Sequence, residues 1–175
     1  MFVVGALVST VFSGAVLLAG DKPLPKVKAP DFVVYSEDGR KVTLSSLRGR
    51  VVLLEFFGEH CPYCARMVKE LNMVYRNYSC EKVGIKKRKR GDCVEIVAIM
   101  ADRGTTPSKL KKYKKNKGVF YNLYYAKSPE VFVKYGLRGV PTIFLIDKNG
   151  YARFMSYYIP YDKLEPYILK VMKAH

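Results

Sequence analysis

Acidic side chains are scarce in this chain of 175 residues: 15 Asp and Glu stand against 31 Lys and Arg, a formal net charge of +16. The densest basic runs, 86–90 and 109–117, lie in no recognisable nucleic-acid motif. Charge alone would give only non-specific, salt-sensitive binding, so no specific nucleic-acid partner is expected. A solvated basic surface is the plain reading, and attraction to an anionic membrane surface the sharper one. Trp is absent while Tyr is plentiful, and neither count points to a function. Internal repeats and low-complexity blocks are missing too, apart from the basic runs. About half of the residues are hydrophobic and the charged fraction is ordinary, which excludes a disordered or fibrous chain and allows one domain with a sizeable core.

Charge is missing altogether from the side chains of residues 2–20, whereas Asp21, Lys22, Lys26 and Lys28 follow at once. That length suits either a bilayer span or the apolar part of a secretory signal. A buried core helix is the alternative reading. No positive side chain precedes the run and the small-residue cleavage pattern around 17–20 is weak, so anchor and cleaved signal stay open. No Cys follows it, so a lipid-modified anchor is not indicated. Either reading places the rest of the chain outside the cytoplasm, on the periplasmic side. Residues 21–28, with Pro23 and Pro25 among lysines, read as an extended linker, and 29–175 as the folded domain.

Within that domain, 32–35 and 41–44 flank an Asp38-Gly39 turn and predict a hairpin. Residues 51–57 form an apolar run broken only by Glu55, the pattern of a strand covered on both faces. Pro62 to about Tyr78 predicts a helix, with Val68, Leu71 and Tyr75 at helical spacing. A buried strand over 93–100, a helix capped by Thr106 and opened by Pro107, and a short strand within 119–125 follow. Then come a helix from Ser128 to Tyr135, a strand over 142–146, a turn at 147–150, a partner strand to Met155 and a helix over 161–173. The alternation implies an α/β fold, a central β-sheet flanked by helices.

The chemistry is concentrated where the first buried strand runs into the first long helix, at His60-Cys61-Pro62-Tyr63-Cys64. Two Cys at C-x-x-C spacing on a first helical turn can form a disulfide. The unsatisfied N–H groups and the dipole of that helix end favour a thiolate at Cys61. The thiolate is the attacking species, so Cys61 is the candidate nucleophile and Cys64, one turn further in, the candidate resolving thiol. The four Cys at 61, 64, 80 and 93 could instead ligate zinc, but the long gap between the second two speaks against it, and no metal or cofactor is expected. His60 could stabilise the thiolate if protonated, or be no more than a surface His.

These stretches resemble the thioredoxin superfamily, specifically the membrane-anchored TlpA/ResA-like thiol–disulfide oxidoreductases. The resemblance begins at Ala29-Pro30-Asp31-Phe32 and runs through 44–58 into the C-x-x-C. It resumes at Gly139-Val140-Pro141-Thr142 and continues to Gly150. It implies a thioredoxin-like fold with a central mixed β-sheet, an N-terminal β-hairpin and the N-terminal hydrophobic segment outside it. It implies redox exchange with protein thiols and disulfides, and a membrane redox partner. Pro141 matches the family's cis-proline opposite the redox pair, where the backbone of Val140 would pair with a bound peptide; an ordinary strand-start proline is the alternative. Glu55 stands where thioredoxins carry a buried Asp that looks like the proton acceptor of the resolving Cys, acting through water, with its pKa raised toward neutral. A Glu at a strand edge, reaching solvent, is the other reading. Tyr63 offers an apolar face to substrate, or merely covers the site.

The sequence also departs from the family. Met67 occupies a place where TlpA/ResA-like reductases often have Glu, and the Pro62-Tyr63 pair is of the glutaredoxin kind. Cys80 and Cys93 bracket a basic insertion, residues 80–93 in all. A structural disulfide is expected there, with two buried thiols or a second redox pair as alternatives. Two other functions compete. A peroxidase of the peroxiredoxin kind would carry Thr where Gly58 stands. A Sco-like copper metallochaperone would have three residues between its Cys and a distant His ligand, for which only the terminal His175 is available. Cytochrome c maturation and general disulfide reduction are the roles that the resemblance suggests.

Overall fold

The structure, a computed structural model, describes residues 26–81 and 93–174. The apolar segment 2–20, the linker up to 25, the basic run 86–90 and His175 lie outside the described residues. Among the described residues the strands and α-helices are β1 (Val27–Lys28), β2 (Val33–Ser36), β3 (Lys41–Thr43), β4 (Val51–Phe57), α1 (Pro62–Tyr78), β5 (Val94–Met100), α2 (Pro107–Lys117), β6 (Leu123–Tyr125), α3 (Glu130–Lys134), β7 (Thr142–Ile146), β8 (Tyr151–Ser156) and α4 (Tyr161–Lys173). The strands form one sheet in the order β1-β8-β7-β4-β5-β6-β2-β3. β4, β5 and β6 run parallel, joined by helical crossovers, and the flanking strands are antiparallel. The mixed sheet flanked by helices agrees with the α/β architecture expected from the sequence.

β4 is central because nothing in it needs water except Glu55. All seven of its residues are buried, and alternate side chains serve opposite faces. Val52, Leu54 and Phe56 pack with Val97, Ile99 and Phe144 on one face, under Val131 and Tyr135 of the α3 region. Val51, Leu53 and Phe57 pack with Met67, Leu71 and Leu110 on the other, under α1, α2 and α4. Glu55 has the parity of the second set, so its carboxyl faces the side covered by α1. Burial of each large apolar side chain in these layers stabilises the fold by roughly 1.5–3 kcal/mol.

The hairpin β2–β3 forms around Asp38-Gly39, with Gly39 at φ 80°, and extends the sheet through β6. Two details differ from the sequence reading. Val27 and Lys28, read as the end of the linker, pair with Ala152 and Tyr151 as β1. The edge of β8 would otherwise leave its backbone groups to solvent, and the pairing satisfies them. The strand expected within 119–125 is confined to Leu123–Tyr125, because Val119 and Tyr121 turn into the core beside α2 instead. α2 itself starts as expected, with the Thr106 side chain accepting from the N–H of Lys109. No helix of the described residues is long and apolar enough to cross a membrane.

Cys80 and Cys93 are joined by a disulfide. It closes residues 81–92 at their base, where Ser79 and Val94 bridge the end of α1 to the start of β5 and the N–H of Cys80 donates to the carbonyl of Val94. Cross-linking a loop of this size stabilises by about 3 kcal/mol in the chain-entropy model. Replacing both Cys by Ser is therefore expected to lower the unfolding free energy by about that amount, measured by denaturant titration. Exchange activity should survive, because the bridge lies at the far end of α1 from Cys61. Loss of activity at a temperature where the variant is folded would assign the pair a redox part.

Candidate active site

The site is assembled where β4 ends and α1 begins. Pro62 at the first helical position suits its missing N–H and pre-set φ, and Cys61 caps the helix in an extended conformation. The backbone N–H of Cys64 donates to Sγ of Cys61 at 3.1 Å, which binds one of the orphan donors of the helix end to sulfur. Cys61 and Cys64 are joined as a disulfide. Cys61 is partly exposed, whereas Cys64 is only 1% exposed. That asymmetry leaves one sulfur open to an incoming thiol and hides the other. With all four Cys bonded in two pairs, this oxidised form has no thiolate to offer the zinc site weighed from the sequence.

The loop before β7 closes the site from across the sheet. The Val140–Pro141 bond is cis, and the Val140 carbonyl oxygen lies 3.6 Å from Sγ of Cys61. The Thr142 hydroxyl donates to the carbonyl of Gly139 at 2.6 Å, pinning the turn. A methyl at Gly58 would touch Val140, Asp102 and Cys61 at ordinary contact distance, so the loops pack closely around the disulfide.

Glu55 is 2% exposed in the middle of the sheet, between Ala98 of β5 and Ile143 of β7. The strand-edge alternative is thereby excluded. Burial pushes its carboxyl up to about 8 from an ordinary 4.5, with no hydrogen bond offsetting it. Glu55, Cys64, Phe57, Val68, Tyr113, Tyr121 and Leu123 line one narrow crevice. The crevice is narrow, with an empty volume of about 150 Å³, and Glu55 and Cys64 share it.

Tyr63 is 56% exposed yet not isolated. Its ring lies 6.0 Å from that of Tyr158, and the Arg66 guanidinium sits over it at 5.3 Å. The Tyr158 hydroxyl donates in turn to Glu70. His60 projects outward, its side chain 91% exposed and 3.9 Å from Glu59. Met67 is fully buried among the core residues beneath α1.

Sequence reasoning missed several residues at the site, Tyr121 of the crevice among them. Asp102, after β5, accepts from the backbone N–H of Glu59 at 2.7 Å and so holds the loop that carries the redox pair. Tyr158 backs Tyr63, and Tyr113 enters the Glu55 crevice from α2. Each stands on an element remote in the chain, and a lone Asp or Tyr carries no local pattern that would single it out.

A family model described as the AhpC/TSA family matches residues 25–155. The thiol-disulfide oxidoreductase ResA of Bacillus thuringiensis (strain Al Hakam) is 31% identical over 148 residues, spanning 83% of this chain and 76% of that protein. A crystal structure from Chlorobium tepidum, described as a thiol:disulfide interchange protein DsbE, is 27% identical with a TM-score of 0.69, covering 85% of this chain and 99% of that one. BsSco, a member of the Sco family of cytochrome c oxidase assembly proteins, superposes with a TM-score of 0.67 at 18% identity, over 88% of this chain and 100% of that one; at that identity the likeness shows the fold alone. The chain belongs to the AhpC/TSA family of thioredoxin-like proteins, among its thiol–disulfide oxidoreductases of the ResA and DsbE type.

Proposed function

We propose that this oxidoreductase works outside the cytoplasm, exchanging disulfides with protein clients through Cys61 and Cys64. The observation that carries the reading is the arrangement around one bond: an accessible sulfur capping α1, a hidden sulfur beside a buried carboxyl, and the Val140 carbonyl against the accessible one.

The exchange takes two steps. The Cys61 thiolate attacks a client disulfide, forming a mixed disulfide and releasing one client sulfur as thiolate. Cys64 then gives its proton, through water, to the Glu55 carboxylate and attacks Sγ of Cys61, expelling the second client sulfur. The client gains two electrons and the Cys pair loses them; the same steps reversed oxidise a client. The N–H of Cys64 and the end of α1 stabilise the Cys61 thiolate. Val140 supplies backbone for an extended client segment beside Pro141, and Tyr63, with Tyr158 behind it, offers an apolar contact.

The N-terminal segment carries the location. We assign 1–20 as signal peptide or membrane anchor, 21–28 as a Pro/Lys linker whose last two residues join the sheet as β1, and 29–175 as the thioredoxin-like domain with its basic insertion at 80–93. The resemblance of the domain to membrane-anchored TlpA/ResA-like oxidoreductases supports the assignment. A membrane protein that resets the Cys pair is the expected redox partner, and the cationic surface suits an anionic leaflet. The peroxidase alternative lacks support at Gly58, which stands where a Thr would be needed. A Sco-like copper role has two Cys at the wrong spacing, and the one His among the described residues, His60, adjoins Cys61 and projects outward where a His distant in the chain would be needed.

The test uses the full chain carrying Cys64→Ala, expressed in cells. Without the resolving thiol the mixed disulfide persists, so clients should be recovered bound to Cys61 on non-reducing gels and released by reductant. The trapped species should also be open to a membrane-impermeant probe in intact spheroplasts. Trapping only in the cytoplasm would refute the location, and no trapped protein at all would refute protein clients.

A further inference from the structure

Two buried tyrosines take no part in the exchange as written above. Tyr113, on α2, packs on Phe57 with ring centroids 5.0 Å apart and is 4% exposed. Its hydroxyl is buried with no hydrogen-bond partner among the described residues, a state that ordinarily costs about 1–3 kcal/mol. Tyr121, between α2 and β6, lines the same crevice beside Glu55 and Cys64. The charges that reach Tyr113 are those of Glu55, then Asp102 and Glu59; those that reach Tyr121 are Glu55 and Tyr113. The groups facing the carboxyl are thus Cys64 from α1, Tyr113 from α2 and Tyr121 from the segment after it, with no cation among them.

An ionised Glu55 in this buried crevice needs a donor. Lys or Arg would be the usual answer, and none lines the crevice. We infer that Tyr113 is a positioning residue for the resolving step: its unused hydroxyl donates to the Glu55 carboxylate and holds it ionised and aimed to take the proton of Cys64. The inference rests on the proton-acceptor role of Glu55 given above. Atoms balance as there. The Cys64 proton goes to the Glu55 carboxylate, the new Cys64 thiolate attacks Cys61 Sγ, and the client departs as thiolate with the electron pair of the broken S–S bond. Tyr113 keeps its own proton throughout. In the oxidised form Cys64 has no proton to give and Glu55 stays protonated below about pH 8, and a neutral carboxyl is a weaker acceptor for the hydroxyl than the carboxylate.

The experiment mixes the reduced full chain with 5,5′-dithiobis(2-nitrobenzoate). Mixed-disulfide formation at Cys61 releases a first coloured thiolate and resolution by Cys64 a second, so one trace separates both steps. For the parent, the second rate should rise with pH through the Glu55 midpoint. For Tyr113→Phe, that midpoint should move up by about one unit, with the second rate about tenfold lower at neutral pH and the first rate unchanged. A merely structural Tyr113 would not move the midpoint. Deleting an unpartnered hydroxyl leaves packing intact, so the variant should melt no lower than the parent. Glu55→Gln separates the two failures. If Glu55→Gln keeps the parent's pH midpoint, the role of Glu55 is wrong. If Glu55→Gln loses the midpoint while Tyr113→Phe matches the parent, or if Tyr121→Phe alone shifts it, the role of Tyr113 is overturned.

Discussion

Replacing Cys61 by Ser is expected to reduce disulfide exchange by on the order of 10³-fold or more, the scale on which loss of a covalent nucleophile acts. The hydroxyl ionises far above working pH and cannot use the N–H of Cys64 as the sulfur does. The fold should be unaffected. Cys61 is partly exposed, and Ser is an equally good helix cap, so the melting temperature of the reduced variant should match that of the reduced parent. Cys64→Ala should behave differently. The first attack still takes place, and the protein accumulates as mixed disulfide after a single turnover. An insulin-reduction assay paired with non-reducing gels distinguishes the two variants. Equal accumulation of mixed disulfide in both would mean that Cys61 is not the attacking sulfur.

The stability of the oxidised protein should fall as pH rises from about 4.5 to about 8, and Glu55→Gln should abolish most of that fall. Burial raises the Glu55 carboxyl from 4.5 to about 8, so across this window the folded chain keeps a proton that the unfolded chain has released. Stability decreases with pH wherever the folded state binds more protons. Its contribution is therefore complete below the unfolded value and gone above the folded one. At 1.36 kcal/mol per unit the difference amounts to at most about 5 kcal/mol. Gln carries no titrating proton and approximates the neutral carboxyl in size. The variant should match the parent within about 1–2 kcal/mol at low pH and exceed it above pH 8 by several-fold that margin. Glu95 is raised as well, chiefly by burial, but it is common to both proteins and cancels in the difference. Denaturant titrations of parent and variant at the two ends of the window measure the effect. Parallel pH dependences in the two proteins would show that Glu55 ionises freely, and would remove it from the proton path.

These two results probe residues that the sequence could already single out, for different reasons. Cys61 and Cys64 were legible through local chemistry: the pair spacing, the proline that opens a helix, and the end of an apolar run just before it. Glu55 was legible as an anomaly, the one charge in seven strand residues, but its setting was undecided. An edge strand and a central strand can share the same hydrophobic run, and only the pairing of β4 with β5 on one side and β7 on the other buried the carboxyl. Pro141 stood out through its flanking residues alone, and its approach to Cys61 depends on a contact between segments far apart in the chain.

The sequence by itself determined the elements, their alternation, the two strand faces and the helix-capping disulfide, because each follows from short-range periodicity, turn chemistry and cap chemistry. Tertiary structure alone decided the strand order, the recruitment of Val27 and Lys28 to the β8 edge, and the meeting of Asp102 with Glu59, Tyr158 with Tyr63, and Tyr113 with the Glu55 crevice. Those contacts join residues that share no local pattern. They are selected by the collective packing of both sheet faces, which no window of neighbouring residues encodes.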